Sequence, residues 1–205
     1  MKARSAHAGF LPGGFSVIEL AITLAVLSLL VLLAMPSYRV WIANSRVRST
    51  SESIQNGLRL ARNQAITLAQ PVRFELPADG SAGWILCVPN GGGICDGLSA
   101  RCEGSTRSGC LLQRYVDTST RGVTLATAPA DSSSLTTPLT GVNVRGVTFD
   151  VFGRADTGAA ALGRVDVSSA IEGTRRLVDV IRANGAVRQC DADLRSGTDT
   201  PEGCG

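Results

Sequence analysis

Few residues of this 205-residue chain could support conventional catalysis. Its 20 basic residues are 19 arginines and Lys2, and its single histidine is His7. A Schiff base needs a lysine, while serine and cysteine nucleophiles and many zinc or haem sites need a histidine. If the N-terminal segment that holds Lys2 and His7 is removed, as argued below, these chemistries are excluded from the working protein.

The cysteines are the other residues with chemistry to offer. They are Cys87, Cys95, Cys102, Cys110, Cys190 and Cys204. Their even number, without a C-x-x-C pair or histidine co-ligands, favours disulfides over structural zinc. Disulfides need an oxidising compartment, which predicts a periplasmic location for this part of the chain. We expect Cys190 to pair with Cys204 and the other four to pair among themselves, with free thiols in the core as the alternative.

A lone carboxylate, Glu19, stands at the start of a long apolar segment. Residues 20–38 carry no formal charge, and as a helix they approach the roughly 30 Å hydrocarbon thickness of a bilayer. This predicts a transmembrane helix over residues 15–38, with Tyr38 and Trp41 as an interfacial belt. The alternative, a cleaved secretory signal, requires a shorter apolar core and a small-residue cleavage site after it.

The position of Glu19 suggests a partner for its charge. A carboxylate at the centre of a membrane helix costs about 2.5 to 3.5 kcal/mol, and less near an end, so such a group usually faces a partner. Cleavage after Gly14 would create an α-amino group at Phe15, about one helical turn from Glu19. The cut would therefore supply a cation for the carboxylate.

The region before the apolar segment is short and polar, and the junction between the two has a distinct order of residues. It reads Gly14-Phe15-Ser16-Val17-Ile18-Glu19-Leu20, with Pro36 later in the same helix. This pattern resembles the type III signal and N-terminal helix of type IV pilins and type II secretion pseudopilins. The resemblance implies removal of the leader 1–14 by prepilin peptidase, N-methylation of Phe15, and pairing of Glu19 with the amino terminus of a neighbouring subunit. The leader departs from the commonest pattern because no basic residue lies close to the cut.

The helix is predicted to continue as an amphipathic segment over residues 39–70. Apolar residues recur there at a helical period, at Val47, Ile54, Leu58, Ala61, Ala65 and Leu68. Pro71 ends the pattern. The other faces of the helix are basic, since they carry one acid, Glu52, and five arginines: Arg39, Arg46, Arg48, Arg59 and Arg62. This charge indicates either contact with acidic neighbours or phosphates, or a solvated face near lipid headgroups.

From residue 71 onward the pattern changes to alternation with glycine, proline and serine punctuation, which predicts an antiparallel β-domain over residues 71–205. The predicted strands are 72–76, 83–88, 111–116, 122–127, 142–151, 164–168, 176–183 and 186–190. Exposed loops are predicted over residues 90–109 and 127–141.

Two details predict local geometry within these strands. The apolar set shifts from even to odd positions at Gly146, which indicates a glycine bulge. Asn184-Gly185 between two strands indicates a type I′ hairpin turn. With that turn, Asp179 would lie opposite Cys190 and diagonal to Arg188.

These elements predict an α+β fold in which a long N-terminal helix, half transmembrane and half amphipathic, packs on an antiparallel β-sheet domain. The pilin resemblance implies the same architecture. Within the pilin-like group the chain resembles the GspH/FimT family. The resemblance rests on Arg59-x-x-Arg62-Asn63-Gln64-Ala65, on Val147-Thr148-Phe149-Asp150 followed by Gly153-Arg154, and on the closing hairpin at Asn184-Gly185.

The leading function is structural. The resemblance implies a minor pilin or pseudopilin that helps initiate or cap a type IV pilus or a type II secretion pseudopilus. It would span the bacterial inner membrane once, with its C-terminal domain in the periplasm. Its partners would be other pilin or pseudopilin subunits, prepilin peptidase and inner-membrane lipid. An enzyme would have to use carboxylates such as Asp150 and Asp156, which nothing in their spacing singles out, so we predict no enzymatic activity, no cofactor and no metal site.

The alternative function is DNA binding. Some FimT-like minor pilins capture DNA for uptake through a Gly-Arg-x-Arg motif on the last hairpin. Here that stretch reads Gly185-Ala186-Val187-Arg188, so the first arginine is missing. Phosphate contacts act through several cations together, and the loss weakens this function. Arg182 and Arg188 are the candidate DNA contacts, and Arg188 could instead pair with the cross-strand acid Asp179.

Overall fold

A computed structural model of the chain describes residues 14, 16–79, 81–91, 93–95, 97–103, 108–116, 122–130, 134–197 and 199–204. The chain divides into two compact units, Met1–Tyr38 and Arg39–Gly205. The described part of the first unit is helical from Val17 onward. The second unit contains the rest of that helix and all the described strands. The boundary between the units coincides with the end of the uncharged segment in the sequence.

Helix α1 (Val17–Leu68) ends before Pro71, as the periodicity predicted. In the second unit, its predicted apolar stripe faces the interior, since Val47, Ile54 and Leu58 are fully buried. Ala61 and Ala65 are also fully buried, and Leu68 is partly buried against the same core. The stripe is therefore the face on which the β-domain packs.

The described strands form two antiparallel sheets of four strands each. The first sheet has the order β3-β2-β1-β5 and the second the order β4-β6-β7-β8. The strands are β1 (Val72–Glu75), β2 (Trp84–Val88), β3 (Cys110–Tyr115), β4 (Val123–Pro129), β5 (Gly146–Phe149), β6 (Leu162–Ser169), β7 (Leu177–Ile181) and β8 (Val187–Asp191). The fold is thus α+β, with a long helix packed on antiparallel sheets.

One continuous hydrophobic core joins the helix to both sheets. Phe74 and Phe149 enter it from the first sheet, and Leu162 and Val165 enter it from the second. Gly57, on the buried face of α1, allows a close approach, because a Cβ atom there would lie 2.8 Å from the Phe74 ring and 2.9 Å from the Trp84 ring. The aromatic rings of Phe74 and Trp84 therefore pack directly on the helix backbone at Gly57, where there is no side chain.

The structure corrects two predictions about strand boundaries. The predicted strand 142–151 is much shorter, because β5 begins at Gly146 and pairs with β1 in regular register. The apolar shift at Gly146 therefore marks the start of a strand, and the predicted glycine bulge there is wrong. The predicted loop 127–141 begins later, since Thr127 is fully buried inside β4 and its hydroxyl accepts a hydrogen bond from the Val144 backbone N–H.

Candidate functional site

The predicted processing site lies at the edge of the described residues. Gly14 is exposed, and no atom lies within 4 Å of a Cβ built on it. Phe15 and most of the predicted leader lie outside the described residues. The geometry of the predicted cut is therefore known only on its Gly14 side, where the backbone is open.

Glu19 lies in the first turn of α1 and is exposed. Within the described part of the chain, no basic group forms an ion pair with its carboxylate. A negative charge in the first turn of a helix is favourable because the helix dipole is positive there. The carboxylate is thus presented outward at the end of an apolar helix, where another molecule can reach it.

Within the described part of the chain, the apolar segment that follows Glu19 is exposed along its whole length. All described residues from 16 to 39 are exposed, and α1 is long and apolar enough to cross a membrane. Two of its polar side chains are satisfied by the helix backbone: the Thr23 hydroxyl donates to the Leu20 carbonyl at 2.9 Å, and the Ser28 hydroxyl lies 2.9 Å from the Leu24 carbonyl. A segment of this kind suits an apolar environment, either lipid or other apolar helices.

The six cysteines form three disulfides, Cys87–Cys95, Cys102–Cys110 and Cys190–Cys204. The Cys190–Cys204 pairing is the one that the sequence favoured. Of the other two, Cys87–Cys95 joins β2 to the segment that follows it, and Cys102–Cys110 joins that segment to the start of β3. All six cysteines are therefore engaged, and none is a free thiol.

The β7–β8 hairpin differs from its prediction by one residue. The Arg182 backbone N–H donates to the Ala186 carbonyl at 2.9 Å, which leaves the three residues 183–185 in the loop instead of two. Gly185 has a φ of +76°, and a Cβ there would lie 2.0 Å from the Gly153 carbonyl oxygen. The predicted type I′ turn is therefore wrong, and the loop is shaped by its contact with the turn at Gly153.

The corrected register changes the surroundings of both candidate DNA contacts. Asp179 lies opposite Gln189, and Arg188 lies opposite Val180. The predicted pairing of Arg188 with Asp179 is wrong. Arg188 instead lies within hydrogen-bond distance of the Pro201 and Gly203 carbonyls, at 3.4 and 3.5 Å. Arg182 is exposed beside the hairpin loop and, because it pairs with Ala186, lies diagonal to Arg188 on the same face of the hairpin.

A buried polar cluster that the sequence did not reveal joins α1 to this hairpin. Asp179 is fully buried, and its carboxylate accepts hydrogen bonds from the Ser51 hydroxyl at 2.8 Å and the Gln55 amide at 3.0 Å. The Gln189 amide donates to the same Ser51 hydroxyl at 2.5 Å. Burial raises the pKa of Asp179 to about 7, although the hydrogen bonds from Ser51 and Gln55 oppose the shift. The cluster is a helix-to-sheet contact whose charge is set by pH.

Two other buried carboxylates are neutralised by arginines. Asp166 contacts Arg164 at 2.6 Å and Arg176 at 2.7 Å, and the Arg164 guanidinium also donates to loop carbonyls such as that of Thr137 at 2.7 Å. Glu75 likewise contacts Arg73 at 2.9 Å and Arg145 at 3.3 Å. These groups tie loops to the sheets, because the planar guanidinium can satisfy several oxygens at once.

The carboxylates considered for acid–base chemistry stabilise turns. The Asp150 carboxylate accepts hydrogen bonds from the Phe152 and Arg154 backbone N–H groups, both at 2.9 Å. Hydrogen bonding to the Arg154 backbone is the main reason that the pKa of Asp150 is lowered. Asp156 accepts from the Gly158 backbone N–H at 3.0 Å. Neither arrangement aims a carboxyl group into a reactive cleft, and the described residues contain no cluster of His, Cys, Asp or Glu suited to a metal ion.

An uncovered apolar helix that continues into a second, amphipathic half, with antiparallel sheets packed on that half, defines the pilin-like class of proteins. The family model described as Type II transport protein GspH matches residues 50–185. The chain therefore belongs to the GspH/FimT-like family of pilins.

The chain is also similar to crystal structures of the type IV minor pilin FimU from Pseudomonas aeruginosa. In one crystal form the identity is 14% and the TM-score 0.45, with 73% of this chain and 92% of that chain covered. In a second form the identity is 14% and the TM-score 0.42, with 72% and 94% covered. No curated protein sequence matches the chain.

Proposed function

We propose that this protein is a minor subunit of a pilin-like filament, either a type IV pilus or a type II secretion pseudopilus, and that it helps initiate or cap that filament. Family membership supports assembly with other pilin subunits. The observation that carries the proposal is the exposed apolar segment of residues 16–39, which is headed by Glu19.

The proposal gives each part of the chain a task. Prepilin peptidase cleaves between Gly14 and Phe15, and Phe15 is then N-methylated. Residues 15–38 anchor the subunit in the bacterial inner membrane, and residues 39–70 carry the domain 71–205 in the periplasm. The three disulfides support a location in an oxidising compartment. During assembly the apolar helices of neighbouring subunits cover one another, and Glu19 pairs with a neighbour's amino terminus.

Replacing the carboxylate tests this assembly step. Glu19→Ala should leave the protein in the membrane but reduce its recovery in sheared filaments at least tenfold, because a neighbour's amine would enter an apolar bundle without its counter-charge. Glu52→Ala is the matched control, since Glu52 is an exposed acid on the same helix that pairs with Arg48. Equal recovery of Glu19→Ala and the wild type would refute the proposed role of Glu19.

DNA binding is the competing function. The geometry gives it little support, because the Arg188 guanidinium lies at hydrogen-bond distance from backbone carbonyls of the C-terminal segment, which leaves Arg182 beside it as the exposed candidate contact. Counterion release from DNA requires several cations acting together. Retardation of DNA by the purified protein at low salt would favour this competitor.

A further inference from the structure

The turn at residues 150–154 presents a large apolar side chain to solvent. Phe152 is 73% exposed, more than any other large apolar side chain among the described residues of 39–205. Ile66, on the last turns of α1, is 49% exposed and borders the same turn, because a Cβ on Gly153 would lie 2.8 Å from its Cδ1 atom. We call the turn of residues 150–154, which contains Phe152, together with the adjoining Ile66 side chain, the Phe152 knob.

Hydrogen bonds within the turn order the Phe152 knob in the absence of a partner. The Asp150 side chain accepts hydrogen bonds from two backbone N–H groups of the turn, and its backbone N–H donates to the Arg154 carbonyl at 2.9 Å. The Gly153 N–H also donates to the Asp150 carbonyl at 2.8 Å. Since the turn is already ordered, binding through Phe152 would cost little conformational entropy.

The knob is also fastened to two other elements of the domain. The Arg62 side chain of α1 donates from Nε to the Gly153 carbonyl at 3.0 Å. The Ala155 backbone N–H donates to the Ala183 carbonyl of the β7–β8 loop at 3.0 Å. These two hydrogen bonds therefore hold the Phe152 knob to the helix and to the second sheet.

The charges around the knob specify its partner. The Arg154 guanidinium lies 5.3 Å above the Phe152 ring and pairs with Asp150 at 2.8 Å, so these two charges offset each other. Arg62 binds a neutral carbonyl, and Arg182 is exposed next to Ala183, whose carbonyl accepts from the Ala155 N–H of the turn. These two positive charges outnumber the exposed Asp156 that follows the turn, which leaves the face weakly positive. An apolar pocket with an acidic rim is the complementary surface.

We propose that the Phe152 knob inserts into an apolar pocket with an acidic rim on a neighbouring, different subunit of the same filament. This inference rests on the proposed function and names the surface through which the β-domain selects its neighbour. A protein partner is favoured over nucleic acid because the nearest guanidinium is already bound to a carboxylate, and because Ile66 adds aliphatic surface that a base would not stack on.

The test uses the full-length protein in a host that assembles the filament. A photo-crosslinking benzoylphenylalanine at position 152 should give an adduct with a second pilin-like subunit, identified by mass spectrometry. Phe152→Ala should lower recovery in sheared filaments about tenfold or more. Val116 is the matched control site, since it is 68% exposed beyond the end of β3. Val116→Ala should be recovered within about twofold of the wild type, and the crosslinker at 116 should give no such adduct.

Three results would overturn the proposal. The first is normal recovery of Phe152→Ala together with no adduct specific to position 152. The second is retardation of single-stranded DNA by the wild type that Phe152→Ala abolishes, which would make the knob a nucleic-acid site. The third is absence of the wild-type protein from sheared filaments, which refutes the proposed function itself and the knob's role with it. Intact disulfides and normal protease resistance in Phe152→Ala show that any loss is not due to misfolding.

Discussion

Asp179 differs from the other buried carboxylates in the partners that surround it. Asp166 and Glu75 each contact two arginines, whereas Asp179 is hydrogen-bonded by the neutral groups of Ser51 and Gln55. The positive charge of Arg59 acts on it only at longer range, and the negative charge of Asp166 opposes ionisation. A carboxyl group in such a setting favours its protonated form.

This predicts a pH-dependent stability. The pKa of Asp179 rises from its ordinary 3.8 to about 7 in the folded chain. Between about pH 4 and pH 7 the folded chain therefore holds a proton that the unfolded chain has released, and the free energy of unfolding falls as pH rises. The slope from this group is at most about 1.4 kcal/mol per pH unit. Asp179→Asn should remove it, as measured by urea unfolding of the full chain in detergent, followed by tryptophan fluorescence.

A second carboxyl group serves as the control for this measurement. Asp150 is exposed and its pKa is lowered, so Asp150→Asn should leave the slope above about pH 5 unchanged. The prediction fails if the difference in unfolding free energy between the wild type and Asp179→Asn is constant from about pH 4 to pH 7.

At the scale of elements, the contact between α1 and the first sheet depends on Gly57. Alanine is favoured over glycine in a helix by about 1 kcal/mol, but here its Cβ would lie 2.8 Å from the Phe74 ring. Overpacking of this kind usually costs about 1–3 kcal/mol. We therefore expect Gly57→Ala to lower the free energy of unfolding, because the rings must move or the helix must lift from the sheet.

Two further variants separate packing from helix propensity. Asn56→Ala, at the neighbouring exposed position, should keep or slightly raise stability. Gly57→Ala should cost less stability in a Phe74→Leu background than in the wild type, because the smaller side chain makes room for the methyl group, and a double-mutant cycle measures this difference. If Gly57→Ala alone unfolds at a higher urea concentration than the wild type, the ring contact does not limit the helix position.

The elements themselves could be predicted from the sequence because their signals are local. The helical stripe from Val47 to Ala65 and all of the eight strands follow from residue periodicity. The register of the last hairpin could not be predicted, because Asn184-Gly185 fits both a two-residue loop and a three-residue loop that ends in a glycine of positive φ, as Gly185 does here. A residue pattern also cannot distinguish the Gly146 strand start from a bulge, since both shift the apolar positions.

The buried polar groups were missed for a related reason. The only sequence signal of Asp179 is an acid inside the apolar strand Leu177–Ile181, and its helix partners, Ser51 and Gln55, are four residues apart beside the apolar stripe. That spacing places them on one helix face, but nothing local shows which strand they meet. Glu19 and the apolar segment after it could be proposed from the sequence, because a membrane segment and the acid beside it can be recognised without knowing any tertiary contact.

For the whole molecule, the composition divides between an apolar segment and a small domain reinforced by covalent and ionic links. All described residues of 16–39 are exposed, and the residues of the domain's continuous core come from Val47 onward. The domain instead combines its core with three disulfides and the arginine–carboxylate contacts. An exposed apolar helix of this kind requires lipid or other subunits to cover it.

The proposed removal of the leader would change the charge of the whole molecule. The proposed cleavage after Gly14 would remove Lys2, Arg4 and His7, which would lower the formal net charge from +3 to +1 and leave arginine as the only basic side chain. The new amino group would carry a positive charge about one helical turn before Glu19, so the cut would supply the cation that the carboxylate lacks among the described residues. Intact-mass analysis of the membrane-bound protein should therefore find a chain that begins with N-methylated Phe15. A Gly14→Leu variant should block the cut and keep the leader, and a wild-type protein that retains Met1 would contradict the prediction.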